Sequence, residues 1–163
     1  MILLMIASIL MESLNALNLD RCYWCAGLYL NFLAEKADTA GEYTLIDSVV
    51  RRGTEPPPHT HSYEDEELLV LEGLLEYRYG PEKGILKPGD RVLMPKGQEH
   101  YFRCQSPEVR LLVKLSPAGL EESFKAFGVA VRDSLLPPPH EQVPSFSEIA
   151  KLFAEVGVLF SPR

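Results

Sequence analysis

The sequence predicts a mainly β protein, a single barrel or antiparallel sandwich with helices at its ends. Three observations carry this prediction. Short runs rich in aliphatic, aromatic and β-branched residues recur at regular intervals between residues 23 and 115, each bounded by turn residues. After Ser116 the apolar spacing changes from a strand period to a helical one. The chain has 163 residues, 46% of them hydrophobic and 24% charged, which suits one domain with one core. The expected layout is a single domain over 1–163, with an N-terminal helix over 1–19, a barrel over 23–115 and a C-terminal helical extension over 116–163.

The elements follow in order. Ile2, Ile6, Ile9, Leu10, Leu14 and Leu17 fall on one helical stripe. The segment is too short to span a bilayer, and it lacks the basic start of a secretion signal. Residues 23–36 read as a strand closed by a polar turn at 38–41, and residues 43–50 as the next strand. The three prolines 56–58 cannot donate ladder hydrogen bonds, so they belong at a sheet edge or barrel mouth. Residues 68–71 form an apolar run suited to a strand buried on both faces. In 74–79, Leu75, Tyr77 and Tyr79 share one face, with Glu76 and Arg78 on the other. Turns at 80–81 and 87–90 precede strands at 91–94, 100–104 and 109–115. Ser116 and Pro117 mark a helix start, with Leu120, Phe124 and Phe127 on one face and Gly128 as its stop. Beyond the prolines 137–139, Ser145 and Glu148 have capping-box spacing before the apolar face Ile149, Leu152, Phe153 and Val156, with Gly157 as a stop. Both C-terminal helices are expected to cover the barrel or to mediate association.

Charge and cysteine content narrow the function classes. A net charge of −7 without a Lys/Arg stripe argues against phosphate-backbone binding, so no nucleic-acid partner is expected. Three cysteines make no complete disulfide framework, which fits a reducing compartment. A cytoplasmic protein with no membrane partner is the expectation, with secretion through the apolar N-terminus as the alternative. Cys22 and Cys25 spell C-x-x-C without a second such pair, and buried packing is the favoured reading.

The chemistry concentrates in residues 53–104. The chain has four histidines, and His59, His61 and His100 fall here. On a strand His59 and His61 face the same way, since side chains alternate. With Glu66 they make a mixed nitrogen and oxygen donor set that suits a divalent first-row transition metal: Fe, Mn, Ni, Zn or Cu. Glu66 lies in the acidic run 64–67, with Glu67 as the fallback ligand. Three imidazoles and one carboxylate leave coordination positions open, as a catalytic ion requires. Tyr77, Tyr79, Met94 and Phe102 are candidate walls of a substrate pocket, with ordinary core as the competing reading. Cys104 shares a strand face with His100 and Phe102. It is read as a soft extra ligand, a site-facing thiol or a small buried hydrophobe, the last favoured.

The segments GTEPPPHTHSYEDEELLVLEG (53–73) and GDRVLMPKGQEHYFRC (89–104) resemble the two motifs of the cupin superfamily, G-x5-H-x-H-x3–4-E-x6-G and G-x5-P-x-G-x2-H-x3-N. Every defined position matches except the last, where Cys104 stands in place of Asn. The resemblance implies a jelly-roll barrel holding one metal ion on His59, His61, Glu66 and His100. The strand start Tyr23-Trp24, the two motif segments and SPAGLEESFKAFG (116–128) are similar to small quercetin dioxygenase-like cupins. That likeness implies a dioxygenase acting on a flavonol-like or other enolic or aromatic small molecule, with Glu66 as general base. The alternatives are a non-catalytic module that binds or senses a small molecule through its metal, and a cupin isomerase. Exposed strand edges and the apolar N-terminal stripe make a homodimer the expected assembly.

Overall fold

The computed structural model describes residues 19–131 and 144–161. The expected N-terminal helix and the prolines 137–139 lie outside those residues. Among the described residues twelve strands form two antiparallel sheets, which face each other as a jelly roll. The strands are β1 (Cys22–Cys25), β2 (Leu28–Ala34), β3 (Thr44–Arg51), β4 (His59–His61), β5 (Asp65–Glu72), β6 (Leu75–Tyr79), β7 (Glu82–Leu86), β8 (Arg91–Met94), β9 (His100–Cys104), β10 (Glu108–Ser116), β11 (Val129–Ala130) and β12 (Val158–Phe160). Among the described residues there are also a 3-10 turn (Leu19–Arg21) and two α-helices, α1 (Leu120–Phe127) and α2 (Phe146–Glu155). One sheet runs β11-β1-β2-β3-β10-β5-β8 and the other β12-β4-β9-β6-β7. Among the described residues no helix is long and apolar enough to cross a membrane.

Alternation along the strands builds the interior. In β3, Thr44, Ile46, Ser48 and Val50 are buried while their neighbours are half-buried. In β5 the inward row is Glu66, Leu68 and Val70, so a carboxylate enters the core on the same face as two aliphatics. β9 turns His100, Phe102 and Cys104 inward. Leu68, Val70, Leu75, Met94, Leu111 and Val50 pack one half of the core. Phe32, Ile46, Leu115, Leu120, Ile149 and Phe153 pack the other, where α1 and α2 join the barrel. On the outer face Arg110 of β10 donates to both oxygens of Asp47 on β3, at 3.0 and 2.6 Å, across neighbouring strands.

Several expected boundaries shift. The predicted strand 23–36 is a hairpin, β1 and β2, folded at Ala26 and Gly27. Both have positive φ (51° and 88°), as a two-residue turn matching strand twist requires. β7 is a further strand, paired along its length with β6. The C-terminal segment is more than helical: β11 extends the β1 edge, and β12 pairs with β4. Cys22 and Cys25 are both fully buried thiols in different apolar clusters, and burial pushes the Cys25 thiol up to about 12.

The turn into α1 depends on a buried carboxylate. Glu121 accepts from the Lys36 N–H at 2.8 Å, the Thr44 hydroxyl at 2.6 Å and the Gly119 N–H at 2.8 Å. Burial alone would raise its pKa, but these donors together hold it below the ordinary value of 4.5. α2 begins with the expected capping box: Ser145 N–H donates to Glu148 at 2.8 Å, and Ser145 Oγ accepts from Glu148 N–H.

Glu121→Ala orphans three donors and should lower unfolding free energy by about 3 kcal/mol, measured by urea denaturation at neutral pH. Because folding lowers this pKa, the stabilisation is complete above 4.5 and is lost as the pH falls through the folded-state value. Glu121→Gln removes that titration, so its stability should fall less steeply than the parent's between about pH 5 and pH 3.

Candidate metal centre

Three short segments bring the four predicted ligands together between the two sheets. β4 turns His59 and His61 inward, two residues apart on one face. β9 pairs with β4 at a single position, His59 opposite His100, so the third imidazole stands beside the first. Glu66 comes from the opposing sheet, on β5. All four residues are buried, none more than 6% exposed. One donor atom from each lies within 4.8 Å of all the others, so the group could hold a metal ion.

The hydrogen bonds outside the cluster set which ring nitrogen faces inward. His59 Nδ1 is 2.9 Å from the Pro57 carbonyl, and His100 Nδ1 is 3.0 Å from the Gln98 carbonyl. A carbonyl can only accept, so Nδ1 carries the proton in both rings and Nε2 is left to the centre. His61 Nδ1 is 3.3 Å from Glu64 Oε2 in the same outward direction. The three Nε2 atoms point at one oxygen, Glu66 Oε2, from 3.1 Å (His100), 3.2 Å (His61) and 3.7 Å (His59). Within the proline run, Pro57 thus supplies an orienting carbonyl for the first imidazole.

This arrangement demands positive charge. Imidazole lone pairs and a carboxylate oxygen cannot share a dry site unless protons or a cation lie between them. With protons alone, the titrations spread apart. Burial holds His59 below its ordinary value despite Glu66. His61 is also penalised by burial, but Glu64 and Glu66 together raise it to about 9. Burial would raise Glu66, yet the three imidazoles hold it well below the usual carboxylate range. A divalent ion meets the same demand with one charge centre, and the donor set is right for a first-row transition metal.

Of the acidic run, Glu66 is the residue that enters the centre. Glu67 faces outward toward Arg91 at 3.5 Å. Glu64, read from sequence only as part of the acidic run, is buried and orients His61. Its spacing of three from His61 was the available signal. A cavity of about 600 Å³ opens on the cluster, lined by His59, His61 and Glu66. Phe102 lines it too. Tyr77, Tyr79, Met94 and Cys104 do not; they pack in the adjoining apolar core with Leu68, Val70 and Leu75. The Cys104 thiol lies 3.6 Å from the Val50 carbonyl, and burial pushes it up to about 12, so it behaves as a small buried hydrophobe. The walls that sequence reasoning missed come from β1–β3, residues 53–57, β10, α1, α2 and β12.

Removing a ring from the cluster should abolish stoichiometric metal uptake: His100→Ala, dialysed against a divalent transition metal, should retain none by elemental analysis. Glu64→Ala removes an orienting partner and should weaken affinity by about 10- to 100-fold with the site still formed, read by competition with a chelator.

Comparison with known proteins agrees with this architecture. Residues 47–114 match the Cupin domain family. Quercetin 2,3-dioxygenase of Bacillus subtilis is 28% identical over 109 residues, 67% of this chain and 32% of that enzyme. The chain thus spans about a third of that relative's length. An uncharacterized protein of Streptomyces coelicolor is 33% identical over 91 residues, 56% of this chain and 81% of its own. Among solved structures, KdgF from Halomonas sp. is similar in fold, with a TM-score of 0.55 at 22% identity over 61% of this chain and 91% of that one. In barrel topology, in both motif segments and in these relatives, the chain belongs to the cupin superfamily.

Proposed function

We propose that this cupin is a metal-dependent dioxygenase that cleaves an enolic or aromatic small molecule. The observation that carries the reading is the convergence of three Nε2 atoms and Glu66 Oε2 on the wall of a deep, mostly apolar cavity. Support also comes from the likeness to the Bacillus subtilis enzyme, whose name is quercetin 2,3-dioxygenase. His59, His61, Glu66 and His100 would hold the ion. When bound, such an ion supplies Lewis acidity toward an enol oxygen and the redox chemistry that dioxygen requires.

The chain's own residues do the rest. The Pro57 and Gln98 carbonyls and the Glu64 carboxylate fix the three rings, so the centre keeps its shape when a ligand enters. Glu66 lines the cavity and takes the proton released when the substrate O–H ionises. Leu30, Ile46, Leu111 and Val113 keep water away from the electron-rich carbon left behind. Both oxygen atoms of dioxygen enter the products, so no external reductant is needed.

Protein loaded with Fe, Mn, Ni or Cu in turn should consume oxygen with a flavonol or a β-diketone for at least one of these metals, followed with an oxygen electrode, whereas Zn, which has no redox chemistry, should give none. Glu66→Gln that retains metal should turn over at least about 100-fold more slowly, since it cannot accept the proton. Tight binding of these compounds without oxygen uptake, for every metal, would overturn the catalytic reading.

A further inference from the structure

The C-terminal segment, expected only to cover the barrel, supplies a continuous aromatic wall of the cavity. Phe124 and Phe127 of α1, Phe146 and Phe153 of α2 and Phe160 of β12 all line it. They touch in sequence: Phe124 and Phe127 lie 5.1 and 5.7 Å from Phe153, Phe153 is 6.1 Å from Phe160, and Phe160 is 5.3 Å from Phe146. Phe160 also stands 5.6 Å from the His59 ring, because β12 pairs with β4 and sets Phe160 opposite His59. The wall therefore runs from α1 to the metal centre itself. All five residues lie outside the part of the chain that matches the family, residues 47–114.

The charge lining the same cavity is one-sided. Among the described residues no Lys or Arg lines it. The acids that do are Glu66, in the centre, and Glu55, on the wall formed by residues 53–57. Glu55 is fixed by the Gly53 N–H at 2.7 Å and the Cys104 N–H at 2.9 Å. Burial would raise its pKa, but these backbone donors hold it below the ordinary value, so it is anionic at neutral pH. An anionic ligand would meet Glu55 without a basic side chain among the described lining to receive it, and would forfeit its hydration on entry.

We infer that the cavity selects an uncharged ligand with an aromatic body, which Phe160 and its neighbours grip while Glu55 turns anionic analogues away. Edge-to-face packing on a phenylalanine wall rewards a ring over an aliphatic body of equal area. Phe160 and Glu55 are thus specificity residues, one for shape and one for charge. The inference rests on the metal-centred reading for the ligand's oxygen end, but the charge and ring preferences belong to the wall.

The test uses full-length, metal-loaded protein under anaerobic conditions, with metal content measured on every sample. Three probes are titrated by calorimetry: 3-hydroxyflavone, its phenyl-sulfonated derivative and acetohydroxamic acid, a small chelator without a ring. The parent should bind the neutral flavonol at least about tenfold more tightly than the sulfonate, because burying the sulfonate is uncompensated. Glu55→Gln should narrow that gap by strengthening sulfonate binding. Phe160→Leu should weaken the flavonol about five- to tenfold yet leave acetohydroxamic acid and metal content unchanged. Equal or tighter binding of the sulfonate at full metal occupancy would overturn the inference, as would a Phe160→Leu that loses both neutral probes alike. Protein that takes up no metal but still prefers the neutral flavonol would instead sink the metal-centred reading and leave this one standing.

Discussion

The fold is organised around one electrostatic constraint: three imidazole nitrogens and a carboxylate oxygen aimed at one point in a dry interior. Lone pairs do not gather there without a positive charge among them. Two rings have their outer nitrogens committed to the Pro57 and Gln98 carbonyls, so their inner nitrogens cannot avoid the problem by changing tautomer. Each neighbouring feature serves this geometry. The prolines stiffen the approach to His59, Gln98 ends the turn before His100, and Glu64 anchors His61. Because Glu66 comes from one sheet and the imidazoles from the other, whatever satisfies the cluster also ties the sheets together.

That dependence extends to the C-terminus. β4 is three residues long and meets β9 at one register position only, which would leave the His59–His61 strand poorly held. β12 supplies the missing edge, with Val158, Leu159 and Phe160 opposite His61, Thr60 and His59. The turn that delivers β12 from α2 passes through Gly157, whose φ of 86° favours glycine. A Cβ there would approach the Tyr63 ring to 2.5 Å. The family's two motifs thus supply the ligands, while a segment outside them holds the ligand strand in register.

Much of this was legible in the sequence. The H-x-H spacing could only mean one face if the segment was a strand, and the regular turn signals made it one. Glu66 could be chosen over Glu67 from its strand neighbour Leu68 and its six-residue distance to Gly73; the run 68–71, read as buried on both faces, instead alternates, with Glu66, Leu68 and Val70 on the inward row. What escaped detection did so for physical reasons. β7 reads Glu-Lys-Gly-Ile-Leu, too polar and too glycine-broken to announce a strand, and it exists because β6 offers it a full edge. The β1–β2 turn hides behind Ala26, a residue with no turn signature that the hairpin forces to positive φ. β12 went unassigned because it lies beyond Gly157, the expected stop of α2, and three residues, Val158 to Phe160, are too few to show a strand period. Tyr77 and Tyr79 were placed on the correct face of β6, but facing inward and facing the cavity are different properties. Only three-dimensional packing separates the core's two halves.

The donors around the acids explain how a chain of net charge −7 keeps carboxylates buried at Glu121 and Glu66 and half-buried at Glu55. Glu121, Glu55 and Glu66 are each below the ordinary carboxylate value, and none depends on a Lys or Arg for it. Backbone N–H groups and a hydroxyl hold the first, backbone N–H groups the second and imidazoles the third. Donors of this kind stay put, whereas a long basic side chain could swing across the cavity. Glu64 and Glu66 flank His61 from both sides, so a divalent ion among the rings would find its charge matched by two nearby carboxylates. A ligand arriving at such a centre meets little net attraction for an anion, with Glu55 still to pass. Neutrality in the ligand follows from the way the protein has already spent its negative charge around the metal position.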